Sequence, residues 1–68
     1  MQLSARNQLR GRVSAIKVDG LMAEVAIDIG GGNVLTSVIT RASAEGLGLT
    51  VGDDVRAVIK STEILVGK

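Results

Sequence analysis

Hydrophobic and polar residues alternate along most of this 68-residue chain, and a period of two predicts β-strands. Segment 8–18 (QLRGRVSAIKV) has Val13 and Ala15 on its apolar face and basic residues on the other. Segment 22–29 (MAEVAIDI) has the clearest alternation, and segment 34–40 (VLTSVIT) continues the pattern. We therefore expect three strands, each with one face toward a core and one face toward solvent.

Two glycine-containing turns separate these three segments. Asp19-Gly20 is a two-residue hairpin sequence, and the GGGN of residues 30–33 reverses the chain again, because Gly and Asn tolerate positive φ. GGGN contains neither of the glycine-rich phosphate-binding motifs, and it lies between two strands rather than before a helix. We interpret it as a hairpin turn and not as a phosphate loop.

The alternation stops at residue 40. The sequence TRASAEGLGL (40–49) has Ala, Glu and Leu at short spacing and predicts one to two turns of helix. Thr40 or Ser43 can cap its beginning, and Gly46 or Gly48 can end it.

Two further strands are predicted after the helix, VRAVIK (55–60) and TEILVG (62–67). Three strands, a short helix and two strands in so short a chain indicate an all-β fold: a small five-stranded OB-like barrel with one short helix between strands 3 and 4. A plain sandwich of two sheets is the alternative. We expect residues 1–68 to form a single domain.

Composition adds the expectation of a homo-oligomer. Hydrophobic residues make up 46% of the chain, but Phe, Tyr and Trp are absent, so the core must consist of Val, Ile, Leu and Ala. Domains of this length usually depend on disulfides, a structural metal or partner subunits. Cys and His are absent, which removes disulfides and the usual zinc ligands. Association of subunits is the remaining way to stabilise so small a domain.

Charge and hydropathy limit the classes of binding partner and the cellular compartment that we expect. Eight basic and seven acidic residues give a net charge of +1, which is not typical of a nucleic-acid-binding domain. Single-strand binders also stack bases on aromatic side chains, and this chain has none. Neither an apolar signal-peptide core nor a membrane-spanning run of about 20 residues is visible. We expect a cytoplasmic protein without nucleic-acid or membrane partners.

The carboxylates and hydroxyls do not form a recognisable catalytic set. Glu24 and Asp28 lie on one strand face but about 13 Å apart, too far for a glycosidase-type pair. A serine nucleophile would need a base such as His, which is absent. We therefore expect no enzymatic activity and no cofactor.

Two short polar clusters remain unexplained by strand formation. The first is Ser4, Ala5, Arg6 and Asn7 before strand 1, and the second is Lys60-Ser61-Thr62 after strand 4. Both are rich in hydrogen-bond donors, carry one positive charge each and contain no carboxylate, which suits a small dianion leaving water. Each cluster alone is better explained as an ordinary strand end with capping hydroxyls and an exposed cation. Together they are more persuasive, because the two meet if strands 1 and 4 are antiparallel.

At these residues the sequence resembles the molbindins, small Mop/TOBE-like proteins that bind molybdate and tungstate. The resemblance covers essentially the whole chain. It is carried by SARNQLRGRV at the start, NVLTSVIT in the middle, GLGLTVGDDV before strand 4 and AVIKST near the end. The same module recurs within molybdate-responsive regulators and importer ATPase subunits. Because this sequence begins at Met1, we expect a free-standing molbindin.

The resemblance implies a hexameric barrel with oxyanion sites at subunit interfaces, the ion itself being the ligand without direct metal coordination. The residues it assigns to the site are Ser4, Ala5, Arg6, Asn7, Thr40, Lys60 and Ser61. Ala5 and Asn7 would act through backbone groups or by shaping the turn. Thr40 falls at the sheet end opposite Ser4, so a neighbouring subunit would have to supply it. A second kind of interface site is implied but has no motif by which to place it.

The functional expectation is intracellular storage and homeostasis of molybdate or tungstate. The alternative from another class is a small OB-like module that binds nucleic acid or acts as an adaptor.

Overall fold

The computed structural model describes residues 3–68, and its elements follow the predicted order as far as the fourth strand. There are four strands, β1 to β4, and one α-helix, α1, between β3 and β4; a 3₁₀ helix follows β4. Their bounds in chain order are β1 (Asn7–Asp19), β2 (Met22–Gly30), β3 (Asn33–Thr40), α1 (Arg41–Leu47), β4 (Asp54–Ile59) and the 3₁₀ helix (Ser61–Glu63).

All four strands belong to one curled antiparallel sheet with the order β3-β2-β1-β4. The all-β class and the short helix are thereby confirmed. The alternative of two packed sheets is wrong for residues 3–68, because a single sheet contains every strand there. β3 and β4 are its two edges, and within the described chain no further strand joins them.

The predicted fifth strand, residues 62–67, is not found. Ser61–Glu63 instead form the 3₁₀ helix, in which the Glu63 N–H donates to the Lys60 carbonyl at 3.0 Å. Beyond it, Leu65 and Val66 are each 94% exposed and pair with no strand of residues 3–68. Apolar character alone therefore did not produce a strand here, because these residues find no partner in their own chain.

The turn and cap residues adopt the predicted conformations. Gly20 has φ +60° in the β1–β2 hairpin, and three glycines of the GGGN turn also have positive φ. Thr40 is the N-cap of α1, and its side chain accepts a hydrogen bond from the Ser43 N–H at 3.0 Å. Gly48 ends the helix in the left-handed conformation, at φ +63°.

β1 contains an irregularity that the alternating pattern did not predict. The pairing register with β2 shifts between Val13 and Ala15, so the side chains after Val13 change face. Ala15, expected on the core face, is exposed, and Ile16 is partly buried against the core instead. At the same point the Gly52 N–H donates to the Val13 carbonyl at 2.8 Å, so β1 leaves β4 where it bends.

The core is small and aliphatic, as the composition predicted. Val13, Val25, Ile27 and Ala57 form its buried centre. Partly buried aliphatic residues pack around them, namely Ile16, Ile29, Leu35, Ile39, Leu49 and Val55. Within residues 3–68 no helix is long and apolar enough to cross a membrane.

Candidate functional site

The β1–β4 ladder brings the two polar clusters to the same end of the sheet. Asn7, the first residue of β1, is paired with Ile59, the last residue of β4, and the strands are antiparallel. The predicted meeting of the two clusters is therefore confirmed. A side-chain contact joins them directly, since the Asn7 Nδ2 donates to the Ser61 Oγ at 3.3 Å.

Two cations lie at this junction. Arg6 directly precedes Asn7 and Lys60 directly follows Ile59, the last pair of the β1–β4 ladder, so the two residues lie at the same end of the sheet. Both residues are exposed, and neither forms a salt bridge within the described residues 3–68. A small anion bound near both groups would gain two charge-assisted attractions.

Neutral donors surround the two cations. The Ser61 Oγ already accepts a hydrogen bond from Asn7, so its own hydroxyl hydrogen is free to donate to another group. Ser4 lies in an exposed bend before β1 with its hydroxyl accessible. Asn7 is expected to act through its backbone or by shaping the turn; in the structure its side-chain amide also contacts the Ser61 hydroxyl. The arrangement offers several donors to a small anion.

Gln8 is a positioning residue that the sequence did not single out. Its Nε2 donates to the carbonyl oxygen of Ala5 at 3.0 Å and ties the segment before β1 to the sheet. Its Oε1 accepts from the Arg56 Nη1 at 3.4 Å. The sequence signal that could have identified Gln8 is its position as a polar residue directly after the Ser4–Asn7 cluster.

Thr40 lies elsewhere in the chain. It is paired with Met22, which is paired in turn with Asp19 at the far end of β1 from Asn7. Besides capping α1, its hydroxyl donates to the Ser43 Oγ at 2.7 Å. The expected separation of Thr40 from the first cluster is confirmed, and one chain does not assemble the whole predicted residue set.

The chemistry of this end of the sheet favours an anion over a cation. Among residues 3–68 no group of three or more His, Cys, Asp or Glu side chains is placed to hold a metal ion. Glu63, in the 3₁₀ helix after Lys60, is the carboxylate next to the cluster in sequence, and it is exposed.

Comparison with known proteins defines the class. Residues 3–66 match the TOBE domain, and the chain belongs to the TOBE domain family. It is 49% identical over 67 residues to the "Probable molybdenum-pterin-binding protein" of Haemophilus influenzae, a match that covers 98% of this chain and 97% of that protein. The resemblance to the molbindins indicated by the sequence motifs is thereby confirmed.

Solved structures agree with this assignment. A molybdate-binding protein from Sporomusa ovata superposes with a TM-score of 0.93 at 38% identity, covering all of both chains. The cytoplasmic molybdate-binding protein ModG, in a form with molybdate bound, superposes with a TM-score of 0.84 at 48% identity. That match covers 90% of this chain and 43% of ModG. The OB-like character of the curled sheet is supported by these superpositions.

Proposed function

We propose that this protein binds molybdate or tungstate at the junction of β1 and β4. The observation that carries the proposal is that Arg6 and Lys60 lie at the same end of the β1–β4 ladder, beside the Asn7–Ser61 hydrogen bond. Names of relatives that match nearly the full chain, and of superposed structures, refer to molybdenum or molybdate, which supports this choice of ion.

The donor set suits the chemistry of these ions. Molybdate and tungstate are tetrahedral dianions, and a desolvated dianion needs both positive charge and hydrogen-bond donors. Arg6 and Lys60 supply the charge, while Ser4 and Ser61 supply neutral donors. Asn7 orients Ser61, and Ala5 shapes the segment that Gln8 holds.

The ion alone is a better ligand for this chain than a pterin. Flat heterocycles are commonly held by stacking on aromatic side chains, and the chain contains no Phe, Tyr or Trp. The word pterin in the name of the relative from Haemophilus influenzae therefore does not define the ligand that we propose here.

A complete site requires two subunits. Thr40 lies at the other end of the sheet from Arg6 and Lys60, so a second chain must supply it if it contacts the same ion. The aliphatic core is small and many aliphatic side chains are exposed, so association of subunits would bury additional apolar surface. We propose a homohexamer with oxyanion sites at its subunit interfaces.

The proposed role is non-enzymatic storage and homeostasis of the oxyanion in the cytoplasm. No step of chemistry is needed for this role, since the ion is bound and released unchanged. The description of ModG as cytoplasmic supports the compartment.

The direct test compares ligands of two classes. Molybdate, tungstate and a short single-stranded DNA are each titrated against the purified protein, with heat of binding and melting temperature as readouts. Molybdate and tungstate should bind and raise the melting temperature, because a ligand that binds only the folded state stabilises it. Stabilisation by DNA with no response to either oxyanion would favour the nucleic-acid-binding alternative.

A further inference from the structure

Two arginines lie directly opposite each other on the exposed face of β1 and β4. The register of the ladder pairs Arg10 with Arg56, and both residues are exposed. Directly opposed residues of an antiparallel pair have their Cβ atoms about 4.5–5.5 Å apart, and like charges in that position are destabilising. Within residues 3–68 neither arginine forms a salt bridge. In the described chain, therefore, no carboxylate compensates the repulsion between them.

The other cations on this face of β1 lie opposite carboxylates. Arg12 is paired with Asp54 of β4 and with Asp28 of β2, and its Nε is 3.6 Å from the Asp54 Oδ1. Lys17 is paired with Glu24 of β2. The arginine pair is thus an exception on a strand face whose cations are otherwise matched by anions.

A hydrogen bond draws one of the two guanidinium groups toward the other strand. The Arg56 Nη1 donates to the Gln8 Oε1 at 3.4 Å, and Gln8 lies two residues before Arg10, on the same face of β1. This contact uses one of the five N–H donors of the Arg56 guanidinium, so the others remain available to a ligand.

An open groove of about 490 Å³ lies at the arginine pair, far larger than the roughly 30 Å³ occupied by a water molecule. Its lining consists of Arg10, Gly11, Asp54, Val55 and Arg56. The Asp54 carboxylate belongs to the ion pair with Arg12, so it does not neutralise the two arginines. The groove therefore carries two unmatched positive charges and has room for a small anion.

We propose that Arg10 and Arg56 form a second anion-binding site, which takes one free inorganic oxyanion of tetrahedral shape, such as sulfate, phosphate or molybdate. We call it the outer anion site. A guanidinium can contact two oxygens of such an ion at once, so the four oxygens of one ion match the two arginines. Binding replaces a like-charge repulsion with two charge-assisted contacts. Because both arginines are exposed and can adjust to ions of different size, the site should not discriminate between sulfate and molybdate.

The outer anion site is separate from the junction of β1 and β4 proposed above as the oxyanion site. Arg10 lies three residues into β1 from Asn7, which is about 10 Å along an extended strand. Gln8 contacts both regions, since its Nε2 donates to the Ala5 carbonyl and its Oε1 accepts from Arg56. The inference does not rest on the function proposed above, and it can be tested with the junction disabled.

Thermal melting at matched ionic strength tests the outer anion site. The background chain carries Arg6→Ala and Lys60→Ala, and millimolar sodium sulfate or sodium molybdate is compared with sodium chloride. Both oxyanions should raise the melting temperature to a similar extent, because a ligand that binds only the folded state stabilises it. Adding Arg10→Thr and Arg56→Thr should raise the melting temperature in chloride, since the repulsion is removed, and should abolish the response to both oxyanions.

Single substitutions and side-chain spectra give a second readout. Arg10→Thr or Arg56→Thr alone should weaken the apparent affinity for sulfate by up to about fivefold, as expected for an exposed ion pair. In the background chain, a sulfate titration followed by NMR should shift the Nε–Hε signals of these two arginines more than those of Arg12 and Arg41. This readout does not depend on the stability of any arginine variant.

Lys17→Thr in the background chain is the matched control. It removes one positive charge from the same face of β1, but Lys17 lies opposite Glu24. This variant should not gain stability in chloride and should keep the full response to sulfate. General stabilisation by sulfate through exclusion from the protein surface would be equal in all variants. Equal oxyanion responses with and without the two arginines, or no shift of their NMR signals, would overturn the proposal.

Discussion

The loss of molybdate affinity on replacing Arg6 or Lys60 with Ala distinguishes an oxyanion site enclosed between subunits from one exposed to solvent. In the single chain both side chains are exposed, and within residues 3–68 neither forms a salt bridge. Their removal should therefore leave the stability of the fold nearly unchanged. Any loss of binding can then be assigned to the ion itself.

The size of the loss depends on how far the ion leaves water. A solvent-exposed charge pair contributes about 0.2–1 kcal/mol, which is at most about a fivefold change in affinity. Removing one charged partner from a desolvated site costs about 2–5 kcal/mol, or roughly 30-fold and more. Because we propose that a second subunit covers the junction, we expect the larger loss for both Arg6→Ala and Lys60→Ala. Ser4→Ala and Ser61→Ala, which remove neutral donors, should cost about 0.5–1.5 kcal/mol each.

Calorimetric titration with molybdate measures these differences, and Arg12→Ala is the matched control. Arg12 lies on the exposed face of β1, where its Nε is 3.6 Å from the Asp54 Oδ1. Loss of that surface ion pair should cost at most about 1 kcal/mol of stability and leave molybdate affinity unchanged. Wild-type affinity in Arg6→Ala and Lys60→Ala together with a large loss in Arg12→Ala would refute the assignment.

Further expectations concern packing, charge, assembly and selectivity. In Gly11→Ala the new Cβ would lie 2.5 Å from the Ile27 Cγ2, so the free energy of unfolding should fall by about 1–3 kcal/mol. Gly46 lies on α1 with open space around it, so Gly46→Ala should raise the free energy of unfolding by up to about 1 kcal/mol. Denaturant titrations measure both changes. Arg56→Thr removes the like charge directly opposite Arg10 and should raise the melting temperature, more at low salt than at high salt. Sedimentation at micromolar concentration should show a hexamer, and a well-folded monomer would contradict the proposed assembly. Calorimetry should show strong preference for molybdate and tungstate over sulfate, because donors spaced for the larger ions reach the smaller one poorly; equal affinities would indicate a generic anion site.

Local pattern was enough to predict most of the fold. The strict alternation in β2 and β3 and the turn residues between them located these strands to within a residue of their observed bounds. The bulge after Val13 was not predicted by the alternation; it coincides with a hydrogen bond from the loop residue Gly52 to the Val13 carbonyl, a contact between residues far apart in sequence. The fifth strand predicted over residues 62–67 is not found in the described chain for a related reason: strand preference is not sufficient without a partner edge.

The candidate site was predictable at the level of backbone pairing. The meeting of the two clusters was predicted on the condition that β1 and β4 are antiparallel; the structure has that pairing, and it brings Arg6 and Lys60 to one end. The contact between Asn7 and Ser61 was not foreseen, since it depends on side-chain rotamers. For Thr40, both its place at the far end of the sheet and its capping of α1 were expected, whereas the hydrogen bond from its hydroxyl to the Ser43 Oγ was not.

The central claim, an oxyanion site shared between subunits, is tested most directly by complementation between two variants. Arg6→Ala removes a charge from one side of the proposed site. Thr40→Asp keeps a good N-cap for α1 but places a carboxylate on the other side, where it repels the dianion. Each variant alone should fold and assemble but bind molybdate at least about 30-fold more weakly than the wild type. When the two chains are unfolded together and refolded at equal amounts, about a quarter of the interface sites should combine an intact Arg6 with an intact Thr40. Calorimetry should then recover about that fraction of wild-type sites at wild-type affinity. Wild-type affinity that stays absent in the mixture would contradict a site built from these two residues of different chains.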